Sequence, residues 1–199
     1  MCGRYTLHSS GEAIAATFNL TQRPDPTPRY NISPAQPISA VIHANSPATA
    51  AQREYRVLQW GLIPSWAKDP TIGNRMINAR AETAAEKPSF RTAFKRRRCL
   101  VLANGFYEWK KADAKASKAK KQPYYIQLKG QPLFAMAGLW EVRESGDGSY
   151  VESCTILTTE PNELKRPIHH RMPVILHPAD YDQWLDVQGQ KPASLQPLL

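Results

Sequence analysis

The stretch CLVLANGFYEW, residues 99–109, decides the fold class because it is a long apolar and aromatic run of the kind that forms β-strands. Comparable runs occur at residues 38–43, 55–63, 124–128, 133–142 and 150–159. Lys129 and Gly130 have the character of a hairpin turn. Because these runs follow one another instead of alternating with long helices, the pattern predicts an α+β domain that is β-rich and mostly antiparallel.

Short helices are expected beside the strands. Residues 9–12, Ser-Ser-Gly-Glu, resemble a capping box that opens a helix to about residue 20, and the prolines that follow enforce an extended connection. Further helices are predicted around residues 79–86, 90–94 and 179–185, the last opened by Pro178. The domain is expected to cover residues 1–191, with 192–199 as a flexible C-terminal tail.

Composition narrows the class of protein. The chain has 199 residues, enough for one domain, and 26 Lys plus Arg against 17 Asp plus Glu give a net charge of +9. Such an excess favours a polyanionic partner, most simply nucleic acid. No apolar run reaches the roughly 18 residues of a membrane span, and no secretory signal is seen, so a cytoplasmic protein is expected. Three cysteines without CxxC spacing argue against a disulfide framework and a zinc knuckle.

Two basic segments have more than one interpretation. KKADAKASKAKK, residues 110–121, is predicted to be a solvated loop between strands, with attraction of phosphates as a secondary role. KRRR, residues 95–98, either steers a nucleic-acid backbone or is simply the charged entry to a strand.

Cys2 follows the initiator methionine, so loss of Met1 would place a free amine and a thiol on one residue. This 1,2-aminothiol is suited to an aldehyde: the amine forms an imine, and the thiol then closes a five-membered thiazolidine. The alternative is a trimmed, disordered N-terminus without a role.

Two further segments carry polar groups suited to chemistry. In an extended backbone Asn78 and Arg80 would share a face, where an amide orients an amine or a sugar oxygen and a guanidinium clamps a phosphate; the alternative is an ordinary helix entry. Glu108 is a single carboxylate among aromatics, which suits a proton shuttle if it is buried. Its alternative is an edge-strand glutamate that faces water.

The proline-bracketed segment PIHHRMP, residues 167–173, holds two imidazoles and a guanidinium. Histidine is the side chain most easily poised between acid and base at neutral pH. Adjacent histidines point in different directions and no matching ligand spacing occurs elsewhere, so neither a metal nor another cofactor is expected. Trp66 is a loop aromatic that either stacks on a base or fills the core.

Taken together these motifs resemble the SOS response-associated peptidase (SRAP) family of abasic-site processing proteins. The resemblance rests on MCGRY at 1–5, RYNISP at 29–34, WGLIPSW at 60–66, INARAET at 77–83, NGFYEW at 104–109 and IHHRMP at 168–173. It implies a barrel-like domain that acts as a monomer on abasic sites in single-stranded DNA and joins itself to them through a thiazolidine.

The resemblance also implies roles for individual residues. Cys2 matches the nucleophile, Asn78 the residue that orients the sugar and the amine, Glu108 the proton shuttle and His169 the acid that protonates the sugar oxygen. Positions expected to contact DNA are Arg4, Trp66, Arg80 and Arg171. His170 stands where relatives often have an acidic residue, so the pKa of His169 is expected to differ here.

Two other classes of function stay open at this stage. One is an N-terminal-nucleophile cysteine peptidase that acts on other proteins, with His169 or Glu108 as the base. The other is a noncatalytic module that binds single-stranded DNA through basic segments and Trp66. Removal of Met1 by the chain itself and removal by an aminopeptidase are both consistent with the sequence.

Overall fold

The computed structural model describes residues 2–44, 53–110 and 121–199. In these ranges the strands are β1 Tyr5–Leu7, β2 Arg29–Ile32, β3 Pro37–His43, β4 Arg53–Trp60, β5 Asn78–Arg80, β6 Arg98–Ala103, β7 Gly105–Lys110, β8 Gln122–Ile126, β9 Phe134–Glu144, β10 Tyr150–Thr159, β11 Met172–Pro173 and β12 Ile175–Leu176. The α-helices are α1 Gly11–Phe18, α2 Ala81–Ala84, α3 Arg91–Arg96 and α4 Tyr181–Leu185.

Strands β3, β4, β6, β9 and β10 close into a barrel. β3 pairs with β4 and β6, β9 joins β6 to β10, and β10 returns to β4. All of these pairings are antiparallel except the parallel one between β4 and β10. The prediction of a β-rich, mostly antiparallel, barrel-like α+β domain is therefore confirmed.

β6 is the most buried strand of the barrel, because each of its residues is screened from solvent. Its first residue, Arg98, is a buried cation whose guanidinium donates to the carbonyl oxygens of Phe94, Trp184 and Asp186. Arg97 pairs with Glu141 at 2.9 Å. The basic segment 95–98 is thus partly structural rather than a uniformly exposed strand entry.

The predicted strand 99–109 is divided at Asn104, where the chain leaves the barrel for a second sheet of order β2-β1-β7-β8. The Asn104 carboxamide accepts from the backbone N–H groups of His8 and Ser9 and donates to the carbonyl of Pro132. At Gly105 a side chain would collide with the Tyr125 ring, only 2.5 Å from an added Cβ. Asn104 thus links the two sheets by hydrogen bonds, and Gly105 allows their close approach.

The helix predictions are largely confirmed. α1 begins after Ser10, whose hydroxyl accepts from the Ala13 N–H at 3.3 Å. α3 and α4 lie where the sequence placed them, whereas the helix expected at 79–86 is shorter because residues 78–80 are the strand β5. Gly130 adopts φ 74° in the predicted turn, but β8 and β9 on either side belong to different sheets and do not form a hairpin.

The expected flexible tail is not what the structure has at the C-terminus. Pro192–Leu198 forms a 3-10 helix in which Leu195 is fully buried. Gln183 of α4 donates to the carbonyl of Ser194 at 3.3 Å and ties this helix to the domain. The buried Leu195 side chain anchors this helix to the domain, and such a contact is hard to predict from a proline-rich sequence.

The lysine-rich prediction at 110–121 falls mostly on residues 111–120, which lie outside the described ranges. Among the helices of the described ranges, none combines the length and the apolar character that a membrane span requires.

Candidate active site

Cys2 lies in the interior of the protein rather than at a disordered end. β1 is held between β2 and β7, and the Tyr107 N–H donates to the carbonyl of Arg4, so the pairing continues towards the N-terminus. The Cys2 side chain is completely buried. Burial, reinforced by the negative charge of Glu108, raises the pKa of the Cys2 thiol to about 12. The thiol is therefore protonated at neutral pH and needs a neighbouring base to become a nucleophile.

Asn78 is brought to Cys2 by β5, which lies parallel to β10 with Asn78 aligned to Ile156. Its Nδ2 donates to the Cys2 carbonyl oxygen at 2.8 Å. Its Oδ1 is buried and accepts no hydrogen bond from the described residues. A buried acceptor without a partner is costly, so this oxygen is prepared to receive an N–H or O–H group.

Glu108 lies on β7, whose side chains alternate between the two faces of the small sheet. Phe106 and Glu108 point inward and are buried, while Trp109 is exposed. Only 2% of Glu108 is exposed, which rejects the alternative of a glutamate that faces water. Its Oε2 lies 3.5 Å from the ammonium nitrogen of Lys165.

His169 lies on the loop between β10 and β11. The Lys165 carbonyl accepts from the His169 N–H at 3.0 Å, and the Arg171 N–H donates to His169 Nδ1 at 3.1 Å. In the neutral ring the hydrogen therefore sits on Nε2. His170 stacks on this ring with centroids 4.4 Å apart.

Burial lowers the pKa of His169. The charges of Lys165 and His170 lower it further, while Glu108 opposes them. A lowered pKa makes the imidazolium a stronger acid and a less abundant one, which suits delivery of a proton to a weakly basic oxygen.

The predicted phosphate contact of Arg171 stays a prediction, and in the structure this side chain is paired with other residues of the protein. The Arg171 guanidinium donates to both oxygens of Glu82, at 2.7 and 2.9 Å, and to the carbonyl of Thr158. Its side chain is only 10% exposed. Arg171 therefore clamps the end of the His169 loop to α2 and β10 through a bidentate ion pair and a backbone hydrogen bond.

Lys165 is a residue of this site that sequence reasoning missed. Its side chain is 4% exposed, and its Nζ donates to the Arg171 carbonyl at 3.0 Å in addition to facing Glu108. Desolvation lowers the pKa of Lys165, while Glu108 opposes this change. In a chain with 26 cationic residues, no local pattern marks one lysine as buried.

The remaining predicted contacts lie nearer the surface. Arg4 is half-buried and donates to Asn31 Oδ1 at 2.9 Å, and Arg80 is exposed at the start of α2. Trp66 is 60% exposed and lines a groove that also contains Lys68 and Arg75. The alternative of Trp66 as a core residue is rejected.

The described residues contain no cluster of three or more His, Cys, Asp or Glu side chains that could hold a metal ion. What the structure brings together is a thiol, an amide with an open acceptor, a carboxylate and an imidazole with one defined tautomer. This set can bind an amine, move protons and support nucleophilic addition.

The fold agrees with the comparison to known proteins. Over residues 1–199 the chain matches the family described as SOS response associated peptidase (SRAP), and the chain belongs to this family. The resemblance inferred from the sequence motifs is thereby confirmed.

Particular relatives carry more specific names. The abasic site processing protein YoqW of Bacillus subtilis (strain 168) is 46% identical over 202 residues, covering 100% of this chain and 86% of the relative. The abasic site processing protein HMCES of Xenopus tropicalis is 35% identical over 190 residues, covering 80% of this chain and 54% of the relative. Among solved structures, a protein from Bacteroides thetaiotaomicron superposes with a TM-score of 0.87 at 29% identity, covering 100% of this chain and 86% of that one.

Proposed function

We propose that this protein processes abasic sites by capturing them, in single-stranded DNA, as a covalent thiazolidine on Cys2 after Met1 has been removed. The observation that carries the proposal is the Asn78 carboxamide, which holds the Cys2 carbonyl with Nδ2 and presents a buried, unpartnered Oδ1 among the described residues. The names of relatives at 46% and 35% identity support the same substrate.

The chemistry starts from the open-chain form of the abasic sugar, whose C1′ is an aldehyde. The Cys2 amine adds to C1′ to give a carbinolamine, and loss of one water leaves an imine. The Cys2 thiol then adds to the imine carbon, and its proton passes to the nitrogen. One C–N and one C–S bond form, one water leaves, and the five-membered ring is complete.

Asn78 would orient the nucleophile. With the Cys2 carbonyl fixed at 2.8 Å, the adjoining amine of the processed residue lies close to the same carboxamide. Acceptance of an amine hydrogen by Oδ1 satisfies the buried acceptor and directs the nitrogen lone pair outward. Holding the amine in this way lowers the entropic cost of addition.

Glu108 and His169 would move the protons. Because the pKa of the Cys2 thiol is raised to about 12, ring closure requires a base. The buried carboxylate of Glu108 is close enough to Cys2 to be the second largest cause of this raised pKa, after burial. His169 would protonate the ring oxygen of the sugar as it opens and would assist the reverse step when the link is broken.

DNA would reach the site through the basic surface. Arg4 and Arg80 are two residues beyond Cys2 and Asn78, and Trp66 offers an exposed ring for a neighbouring base. The +9 net charge favours approach of the strand. An abasic nucleotide lacks the base that would otherwise fill the site. The site can therefore select an abasic nucleotide over one that keeps its base. A single copy of the chain contains all of these groups, so a monomer suffices.

The other two classes of function are less well supported. A cysteine peptidase acting on other proteins is less well supported because the relatives at 46% and 35% identity are named for abasic sites rather than for cleavage of other proteins. Hydrolysis of the adjoining Met1–Cys2 bond within the same chain needs no second protein as substrate. A noncatalytic binding module gives no reason for burying a carboxylate and a cysteine together.

A denaturing gel tests the proposal. A labelled single strand with one abasic site should give a slowly migrating covalent product with the wild type and with Cys99→Ala, but none with Cys2→Ala. The same strand with its sugar reduced to the alcohol has no aldehyde and should give no product. Equal yields from the reduced and the unreduced strand would refute aldehyde capture.

A further inference from the structure

We propose that Lys165 is a positioning residue for the reaction, which pairs with the Glu108 carboxylate and fixes the His169 loop against β7. The inference rests on the proposed function, because it assigns Lys165 a part in the same chemistry. Lys165 adds a positive charge to the site, and neither the sequence motifs nor the names of relatives indicate this charge.

The first contact is with the carboxylate. Lys165 Nζ lies 3.5 Å from Glu108 Oε2, and the two side chains are only 4% and 3% exposed. A carboxylate in such surroundings is penalised by desolvation unless a cation accompanies it. The ring of Phe106 lies 6.0 Å from the same ammonium group. Lys165 thus supplies a positive charge next to the proposed proton acceptor inside an otherwise apolar wall.

The second contact is with the loop that carries the imidazole. The same Nζ donates to the Arg171 carbonyl at 3.0 Å, while the Lys165 carbonyl accepts from the His169 N–H at 3.0 Å. Lys165 therefore binds the loop on both sides of His169. One residue sets the distance between the imidazole and the carboxylate, which lie on different elements.

Several titratable groups interact with this ammonium group and its carboxylate. Cys2 and Glu108 interact with Lys165 from the N-terminus and from β7, and His169 responds to Lys165 and His170 on the loop. After removal of Met1 the new α-amine joins this set. Lys165 thus places a positive charge beside the carboxyl group that is proposed to take the thiol proton.

The test is the pH dependence of single-turnover capture by the full chain, for wild type, Lys165→Met and Lys165→Arg. Lys165→Met keeps length and apolar bulk but removes the charge. It should slow capture about tenfold near neutral pH and displace the acidic limb of the pH–rate profile, because the cation beside the proposed proton acceptor is lost. Lys165→Arg should restore the wild-type limb. Lys129→Met, at an exposed turn, removes the same charge elsewhere and should leave the profile unchanged.

A double-mutant cycle separates this role from simple loop support. In the Glu108→Gln background, Lys165→Met should cause little further loss, because the carboxylate on which Lys165 acts is already gone. An unshifted profile for Lys165→Met, or fully additive losses in the cycle, would overturn the inference while wild-type capture stands. Absence of any adduct with wild type would instead overturn the proposed function.

Discussion

Glu82→Ala should destabilise the domain and slow capture together, although Glu82 is not placed in contact with the substrate. Glu82 accepts two hydrogen bonds from Arg171, and Arg171 ends the loop that carries His169. Removal of the carboxylate leaves the Arg171 side chain, which is 10% exposed, without its ion-pair partner. Among the described residues its guanidinium then keeps only the carbonyl and hydroxyl oxygens of Thr158 as acceptors.

The expected loss is intermediate between those of surface and buried ion pairs. Breaking a fully buried pair costs about 3–5 kcal/mol, and an exposed pair contributes about 0–1 kcal/mol. Because the Glu82 side chain is 45% exposed, water can replace part of the lost contact. We expect a loss of about 2 kcal/mol in the free energy of unfolding, and a fall in Tm of roughly 4–8 °C at about 2–4 °C per kcal/mol for a chain of this size.

The effect should depend on pH. Hydrogen bonds from Arg171 lower the pKa of Glu82 from its usual value of 4.5. A carboxyl group with a lowered pKa stabilises the folded state above its unfolded pKa, and this stabilisation is lost as the pH falls through the folded value. The Tm difference between wild type and Glu82→Ala should therefore be full at pH 7 and shrink below about pH 4.

Thermal unfolding by circular dichroism, paired with capture rates at a temperature where both proteins are folded, measures these effects. Glu54→Ala is the matched control, because it breaks the surface Glu54–Arg56 pair and should leave Tm and capture close to wild type. A wild-type Tm and a wild-type capture rate for Glu82→Ala would refute the structural role assigned to Arg171.

Three further predictions address the site and the C-terminus. Glu108→Gln should slow adduct formation by about 10²- to 10⁴-fold in single-turnover assays, the range expected for loss of a general base, and a wild-type rate would remove Glu108 from the mechanism. His169→Ala should slow both formation and release of the adduct, with a larger defect at acidic pH, where the imidazolium is populated. Release is measured by transfer of a labelled adduct to excess unlabelled abasic strand. Unchanged rates of formation and release would contradict the role of His169. Leu195→Ala should lower the free energy of unfolding by about 2–5 kcal/mol, as for other buried leucines, and a change near zero in chemical denaturation would restore the flexible tail.

Much of the fold could be predicted from sequence because its larger strands are long and apolar. The strands predicted at residues 38–43 and 150–159 match β3 and β10 nearly to the residue, because an apolar pattern of this length is too long for a turn. β1 and β5 were missed because each has three residues and forms only through its neighbours. The division at Asn104 was also missed, because the reason for it is a set of contacts with residues far away in the chain.

The site could be predicted only as far as local chemistry reaches. Cys2, Asn78 and Glu108 were identified by motif, and the structure places them together. The internal pairing of Arg171 and the burial of Lys165 could not be predicted, because a cation looks the same in sequence whether it faces solvent or an internal partner. The partner of Arg171 is 89 positions away, so only the folded chain shows which charge is buried.

Intact-mass spectrometry of the protein after incubation with an abasic single strand tests the central claim most directly. The account predicts that protein lacking Met1 gains the mass of the oligonucleotide less one water, as thiazolidine formation requires. Protein shown to retain Met1, with its Cys2 thiol present but no free amine at that residue, should stay at its original mass. A stable adduct on the Met1-retaining form, or an adduct mapped by peptide sequencing to a residue other than Cys2, would contradict the account.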